Sequence, residues 1–220
     1  MSYKGLAVLV AVVVVAGAMV FAWASAADTP VTIDGPAQFV VPLASPNAVT
    51  VLSDNFDGTF PGTKWKLYVQ TGTPGWGQTT KTKHSGTKSI YCARTGTGGK
   101  DWPGPYKPKQ ASWAISGPYS LKGKTAGAMS AWFIYDLPSG SPTDYVFIGA
   151  SVDGSNFSGG YVNGSSANAW KGPLGIDLTK LSNKPLGKAK VWFAVMFKSD
   201  ASKVGTKKGV CVDDVLVQVN

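Results

Sequence analysis

The stretch GVCVDDVLVQVN, residues 209–220, has the valine-rich alternation that is typical of a buried β-strand. Two adjacent aspartates, Asp213 and Asp214, interrupt it beside Cys211. Aspartate is depleted in strands and costly to bury without partners. Strict alternation puts Cys211, Asp213 and Val215 on one face and Asp214 on the other, so a core-facing Cys211 predicts an inward Asp213. A local bulge would reverse that assignment, and both aspartates are therefore candidates for a structural site.

Further β-branched and aromatic runs, separated by turn residues, extend this pattern across the chain from Ser53 onward. They are WKLYVQ (65–70), KSIYCA (88–93), SWAIS (112–116), AMSAWFIYDL (128–137), DYVFIGASV (144–152) and KVWFAVMF (190–197). The composition agrees, because 27 glycines and 14 prolines favour short strands joined by many turns. The sequence predicts an all-β protein, an antiparallel jelly-roll β-sandwich over residues 53–220.

The N-terminal segment, residues 1–26, reads as an export signal. Lys4 lies in a short positive region, an apolar run follows from Leu6 to Ala24, and small residues offer a cleavage point after Ala26. The run is also long enough for an uncleaved membrane anchor, or for a pilin-like helix released by cleavage after Gly5. All three alternatives predict an extracellular protein, secreted or attached to the cell surface, that meets a membrane only through this segment.

Residues 27–52 alternate short apolar pieces with Pro, Gly and Asn. They are interpreted as a linker or as a donor-strand-like extension, since AQFVVPL and AVTVL could complete the sheet of a neighbouring molecule.

The formal net charge of +9 raises the question of an acidic partner. The lysines are scattered and Arg94 is the only arginine, which is a poor supply for phosphate or base recognition. We therefore expect no nucleic-acid partner and a solvated lysine surface.

Two cysteines, Cys92 and Cys211, fit an exported protein as one disulfide that closes a long loop. The alternative is a pair of free buried thiols. A zinc site is not expected, because the chain offers one histidine and two distant cysteines.

Read in order, several segments resemble one family. They are LSDNFDGTFPGTKW, HSGTKSIYCA, SWAISGPYSLKGKTAGAMSAWFIYDL, DYVFIGASVDGSNF and GVCVDDVLVQV. The set is similar to the MAM-like and carbohydrate-binding-type jelly-roll modules found at the ends of secreted proteases, including those resembling immune inhibitor A. The resemblance implies a non-catalytic module with a structural calcium ion held by acidic residues of the first and last strands. The matching positions here are Asp54, Asp57, Asp213 and Asp214, and hard oxygen ligands suit that cation. The alternative is that Asp213 and Asp214 bind a lysine, backbone amides or solvent.

Catalysis has little support in the sequence. His84 is the only imidazole, and neither Ser85 nor Ser89 beside it carries a nucleophile-elbow or oxyanion signature. No pair of carboxylates stands out for glycoside hydrolysis. We expect His84 to be a surface-turn residue and the protein not to be an enzyme.

Binding is better supported. Trp76, Trp102 and Tyr106 lie in Gly- and Pro-rich segments, where they could stack on sugar rings or instead cover the sandwich edges. Asn156 and Asn163 begin Asn-X-Ser sequons that predict surface glycosylation.

Two functions follow from these features. The first is a structural or adhesive surface protein that self-assembles into a filament or surface layer through strand donation by its N-terminal extension. The alternative is a secreted carbohydrate-binding module. The expected partners are accordingly copies of the chain itself or a cell-surface polysaccharide.

Overall fold

The computed structural model describes residues 31–39, 47–69, 73–139, 143–201 and 206–220. Within these ranges the regular elements are β-strands, and none is a helix that could cross a membrane. The strands are β1 (Val31–Pro36), β2 (Gln38–Phe39), β3 (Val49–Asp54), β4 (Trp65–Val69), β5 (Gly75–Thr79), β6 (Ser89–Thr95), β7 (Ala111–Tyr119), β8 (Gly127–Asp136), β9 (Tyr145–Ser151), β10 (Phe157–Val162), β11 (Lys171–Asp177), β12 (Val191–Lys198) and β13 (Gly209–Val219). The predicted leader, residues 1–26, lies outside the described residues.

The strands form two sheets that pack face to face. Sheet 1 has the order β1-β10-β9-β12-β7-β4, and sheet 2 has the order β2-β11-β8-β13-β6-β5 with β3 also beside β13. The predicted all-β jelly-roll sandwich is confirmed, and each strand expected from the sequence is present. β5, β10 and β11 were not predicted, because their glycine-rich sequences GWGQT, FSGGYV and KGPLGID score poorly as strands.

The core lies between the two sheets. It is built from large side chains that the solvent does not reach, including Phe133 and Met129 from sheet 2 and Phe193 and Phe197 from sheet 1. Apolar residues alternate along the strands so that one face of each sheet contributes to this core. Burial of each such side chain stabilises the fold by about 1.5–3 kcal/mol.

A second apolar cluster lies on the opposite, outer face of sheet 1. Register places five side chains in one row across neighbouring strands: Tyr68, Trp113, Met196, Phe147 and Tyr161. The three central members are buried, whereas the two tyrosines at the ends are half-buried. Sheet 1 is therefore apolar on both faces.

The last strand pairs with β3, which lies before the first strand expected from the sequence, WKLYVQ (65–70), now β4. β3 runs antiparallel to β13, from Val215 opposite Asp54 to Val219 opposite Val49. β3 begins at Val49, so it includes the last residues of segment 27–52, which was interpreted as a linker or extension.

A β-bulge interrupts β13 at the two aspartates. Asp213 lies opposite Trp132 on β8, yet the next paired residue is Leu216. Asp214 is the extra residue and has φ +47°. Val212 and Val215 on either side are both buried. The prediction of an inward Asp213 from strict alternation is wrong, because the bulge lets Asp213 lie on the outer face of sheet 2 while the valines keep to the core.

The described chain begins with a strap, defined here as residues 31–39. Its first strand, β1, runs parallel to β10 at the edge of sheet 1, and β2 then pairs with β11 at the edge of sheet 2. The strap thus crosses the open side of the sandwich from one sheet to the other.

Candidate functional site

The aspartates of the β13 bulge hold the turn that contains His84. One Asp213 carboxylate oxygen accepts the backbone N–H groups of His84 at 2.8 Å and Ser85 at 3.1 Å. The other oxygen accepts the Asp214 N–H at 2.8 Å. An aspartate is therefore tolerated in this strand because backbone N–H groups of a turn more than a hundred residues earlier in the chain donate hydrogen bonds to its carboxylate.

Asp213 is fully buried, and this affects its titration. Burial raises the pKa of Asp213 to about 6, against the opposing effect of the backbone amides of Ser85, His84 and Asp214. Desolvation of the charged form exceeds the gain from the amide donors, so the carboxyl titrates well above its ordinary value of 3.8.

Asp214 contacts the same turn through its side chain. One of its oxygens lies 2.6 Å from His84 Nδ1, and the other accepts the Ser85 hydroxyl at 2.6 Å. Ser85 therefore donates to the carboxylate and not to the imidazole. A nucleophilic serine needs its hydroxyl on the histidine, so this is not a Ser-His-Asp catalytic arrangement.

Two tryptophans surround the imidazole. His84 stacks on Trp132 with ring centroids 3.6 Å apart and an angle of 12° between the rings. Trp170 presents its edge to His84 at a centroid distance of 6.1 Å. Both indoles are half-buried. The sequence reasoning missed them; the signal was the alternation of Trp132 with core-facing Ala131 and Phe133, which assigns Trp132 to the opposite face.

A surface groove of about 420 Å³ runs beside this stack on the outer face of sheet 2. Its lining includes Trp132 and Leu216 as apolar elements and Ser53, Asn55 and Asp214 as polar ones. Pockets of this size, with an aromatic wall and a few polar groups, suit a small polar ligand. We call it the Trp132 groove.

The other two predicted calcium ligands lie at the same corner. Asp54 accepts the Phe56 N–H at 2.9 Å and the Trp65 indole N–H at 2.8 Å. Asp57 accepts the Thr87 N–H at 2.6 Å, and the Thr87 donors, first of all this amide, lower the pKa of the Asp57 carboxyl.

The four predicted ligands do not assemble into a metal site in the residues that the structure describes. No group of three or more metal-ligating His, Cys, Asp or Glu side chains occurs there. Each of the four carboxylates accepts hydrogen bonds from protein donors. The convergence of the carboxylates is explained without a cation, and calcium binding stays a prediction.

The loop aromatics proposed to bind glycans do not have that role in this structure. Trp76 is fully buried and donates its indole N–H to the Ser112 carbonyl at 3.0 Å. Trp102 is only 8% exposed and Tyr106 only 2%. The prediction was wrong, because Trp76 belongs to strand β5 and the segment between β6 and β7 places Trp102 and Tyr106 in the core.

The predicted disulfide is not formed either. Cys92 and Cys211 are both free and buried. Cys211 lies opposite Tyr91 in the ladder between β13 and β6, so these two side chains share one face of the sheet. The side chain of the next residue, Cys92, lies on the other face. Burial raises the pKa of both thiols.

The two sequons differ in their surroundings. Asn156 is exposed and donates its side-chain amide to Asp153 at 2.7 Å, while Phe157 and Ser158 after it are buried in β10. Asn163 is half-buried and follows the end of that strand. Glycosylation at either position stays a prediction.

Comparison with known proteins identifies the fold alone. No family model matches the sequence, and no curated protein does. The K1 adhesin domain of Lys-gingipain from Porphyromonas gingivalis W83 is similar in structure, with a TM-score of 0.50 and 17% identity over 78% of this chain and 99% of that chain. The family 11 carbohydrate-binding module of a Clostridium thermocellum cellulase gives 0.48 and 12% over 76% and 92%. A family 61 module solved with β-1,4-galactotriose gives 0.46 and 10% over 71% and 88%.

The TM-score of 0.50 to the adhesin domain shows a shared fold. At this level of identity the likeness concerns the fold and leaves the function to the site itself. The link to MAM-like modules stays a prediction.

Proposed function

We propose that this protein is a non-catalytic carbohydrate-binding domain of the cell exterior, and that the Trp132 groove is its sugar site. The observation that carries the proposal is the His84–Trp132 stack beside a groove with hydroxyl, amide and carboxylate groups. A sugar ring presents apolar C–H faces and polar hydroxyls, so it needs aromatic and hydrogen-bonding groups together.

The groove offers both kinds of contact. Trp132 of the stack supplies an aromatic surface in the lining, and the exposed residues Ser53 and Asn55 supply polar groups. Asp214 accepts hydrogen bonds from His84 and Ser85 and retains lone pairs that a sugar hydroxyl can reach. The turn that presents His84 is held by Asp213, so the site is preorganised before ligand binding.

The absence of a catalytic role is part of the proposal. Ser85 and His84 share one carboxylate and do not contact each other as nucleophile and base. The names of the structural neighbours, carbohydrate-binding modules and an adhesin domain, are compatible with a binding function outside the cell.

The proposal is tested with a panel of soluble polysaccharides, including a β-1,4-galactan and a xylan, by affinity electrophoresis and calorimetry. The variant is Trp132→Ala, and the matched control is Trp192→Ala, because Trp192 is likewise half-buried but lies on the outer face of sheet 1. Thermal melting of each variant shows that it is folded.

We expect the wild type and Trp192→Ala to bind one class of polysaccharide and Trp132→Ala to lose at least about tenfold in affinity, as for a lost aromatic contact of 1.4 kcal/mol or more. If Trp192→Ala abolishes binding while Trp132→Ala does not, the site is on the other sheet and the Trp132 groove is refuted. If no polysaccharide binds, the function itself is refuted.

A further inference from the structure

The strap, residues 31–39, contacts the body through its backbone and through the half-buried side chains of Val31 and Ala37. Thr32, Ile33 and Asp34 are exposed, with Ile33 at 37%. β1 forms the ladder with β10, and after it the Ala37 N–H donates to the Tyr161 carbonyl at 2.8 Å. Of the strand pairs in the described part of the chain, this is the one that runs parallel; the others are antiparallel.

Part of the strap stands away from the body. A groove of about 580 Å³ lies between it and the body. Its walls come from Asp34 and Gln38 of the strap and from Gly160, Ile176 and Leu181 of the body. Side chains that fill the space beneath a strand would fix it in place, and here that space is open.

The body nevertheless needs a strand at this position. Without the strap, β10 and β11 would both be edge strands with unpaired N–H and C=O groups. Ile176 and Leu181, now 7% and 4% exposed, would gain solvent contact beside them. Any strand of the strap's sequence would satisfy this seam equally well, because backbone pairing does not depend on which copy supplies it.

We propose that the strap is exchangeable between copies: residues 31–39 of one molecule pair with β10 and β11 of a second, which links copies head to tail. The contacts are the same within one chain and between two chains. The equilibrium between the closed monomer and the exchanged oligomer is therefore set by linker geometry and protein concentration. This proposal does not depend on glycan binding, and it describes a surface whose partner is another copy of the chain.

The geometry of the connection makes exchange controllable. In sheet 2 the end of the strap is separated from β3 by β11, β8 and β13, so four inter-strand spacings of about 4.8 Å, or about 19 Å, must be crossed. Residues 40–48 make this connection, and extended chain spans about 3.4 Å per residue. Deletion of residues 40–44 leaves five steps, about 17 Å at most, which is too short to close within one chain.

The first test uses this deletion in the otherwise full chain, measured by light scattering coupled to size exclusion. We expect the wild type to be mainly monomeric at micromolar concentration, because intramolecular closure acts at an effective concentration near millimolar. The deletion variant is expected to form dimers and longer oligomers. A deletion variant that stays monomeric, folded or unfolded, overturns the proposal.

The second test traps exchange in the wild-type connection. Copies carrying Thr32→Cys are mixed with differently tagged copies carrying Ser158→Cys, since these residues face each other across β1 and β10. The matched control pair is Thr50→Cys with Gln218→Cys, which face each other across β3 and β13 inside the body. Each mixture is refolded together at increasing concentration and oxidised, and the cross-linked peptides are identified by mass spectrometry.

We expect interchain cross-links for the strap pair, rising with concentration toward millimolar, and at least tenfold fewer for the control pair. Equal yields from the two pairs would show general aggregation or exchange of the whole N-terminal half, and would overturn the proposal. Absence of interchain cross-links from the strap pair at every concentration would overturn it as well.

Discussion

Asp213 is predicted to stabilise the fold as an acceptor for three backbone amides. Its carboxylate receives the N–H groups of His84 at 2.8 Å, Ser85 at 3.1 Å and Asp214 at 2.8 Å. A hydrogen bond to a charged group contributes about 1.5–3 kcal/mol, which gives about 5–9 kcal/mol for three. Two costs reduce this sum, and both can be read from the structure.

The first cost is desolvation. Desolvation outweighs the three amide donors and raises the pKa of Asp213 from 3.8 to about 6, so it offsets a large part of this sum for the ionised carboxyl at neutral pH. The second is that His84 lies in an exposed turn, so its amide can regain water when the carboxylate is removed. We therefore expect Asp213→Ala to lower the free energy of unfolding by about 2–4 kcal/mol, or the melting temperature by about 5–15 °C.

The assay is urea unfolding at pH 7, followed by tryptophan fluorescence. Asp213→Asn has the same shape but must point an N–H₂ group at one of the amides, so it is expected to lie between the wild type and Asp213→Ala. Asp34→Ala, on an exposed residue of the strap, serves as the control and should stay within about 0.5 kcal/mol of wild type. If Asp213→Ala also stays within that range, the aspartates do not hold the turn and the explanation of the bulge is wrong.

The remaining predictions concern titration, packing, thiols and calcium. Because the pKa of Asp213 is raised from 3.8 to about 6 on folding, protonation of this carboxyl adds stability that is fully present below pH 3.8 and is lost as the pH rises through 6, separately from the amide hydrogen bonds that act at pH 7. In urea unfolding, the free energy of unfolding of the wild type should therefore rise by about 1 kcal/mol relative to that of Asp213→Asn when the pH is lowered from 7 to 5. A constant difference between the two proteins would contradict this. Gly159→Ala should cost more than about 2 kcal/mol in thermal melting, since its Cβ would overlap a backbone oxygen of β9, whereas Gly58→Ala, with open space around it, should cost less than about 0.5 kcal/mol. Cys92 and Cys211 should not react with a thiol reagent in the native protein at neutral pH, and should give two thiols per chain on unfolding without reductant; none on unfolding would mean a disulfide. A chelator should leave the melting temperature unchanged if protein donors alone satisfy the four carboxylates, and a fall of several degrees would establish a structural ion.

The fold class could be predicted from sequence because its signals are local. The runs around Trp113, Phe133 and Phe193 combine β-branched and aromatic residues with turn residues on both sides, and each forms a strand. Glycine-rich β10 was missed because its composition opposes strand formation. Gly159 is needed there because the β9 backbone passes too close for a side chain, and this reason appears only when the two strands are paired.

The candidate site was predicted only in part. The family resemblance implied that acidic residues near the first and last strands meet, and Asp54 and Asp214 do lie together in the lining of the Trp132 groove. It could not indicate that His84 would reach Asp214 across 130 positions, nor that Trp132 would stack beneath the imidazole. Such contacts depend on which loop folds over which sheet.

The sequence by itself determined the strand pattern and the all-β class, because alternation and turn chemistry act between neighbouring residues. The tertiary structure decided the rest. It buried Trp76 and Trp102, kept Cys92 and Cys211 on opposite faces of one sheet, and turned Asp213 outward through a bulge. The physical reason is that the side of a sheet a residue occupies changes with a single inserted residue, and what covers that side comes from distant parts of the chain.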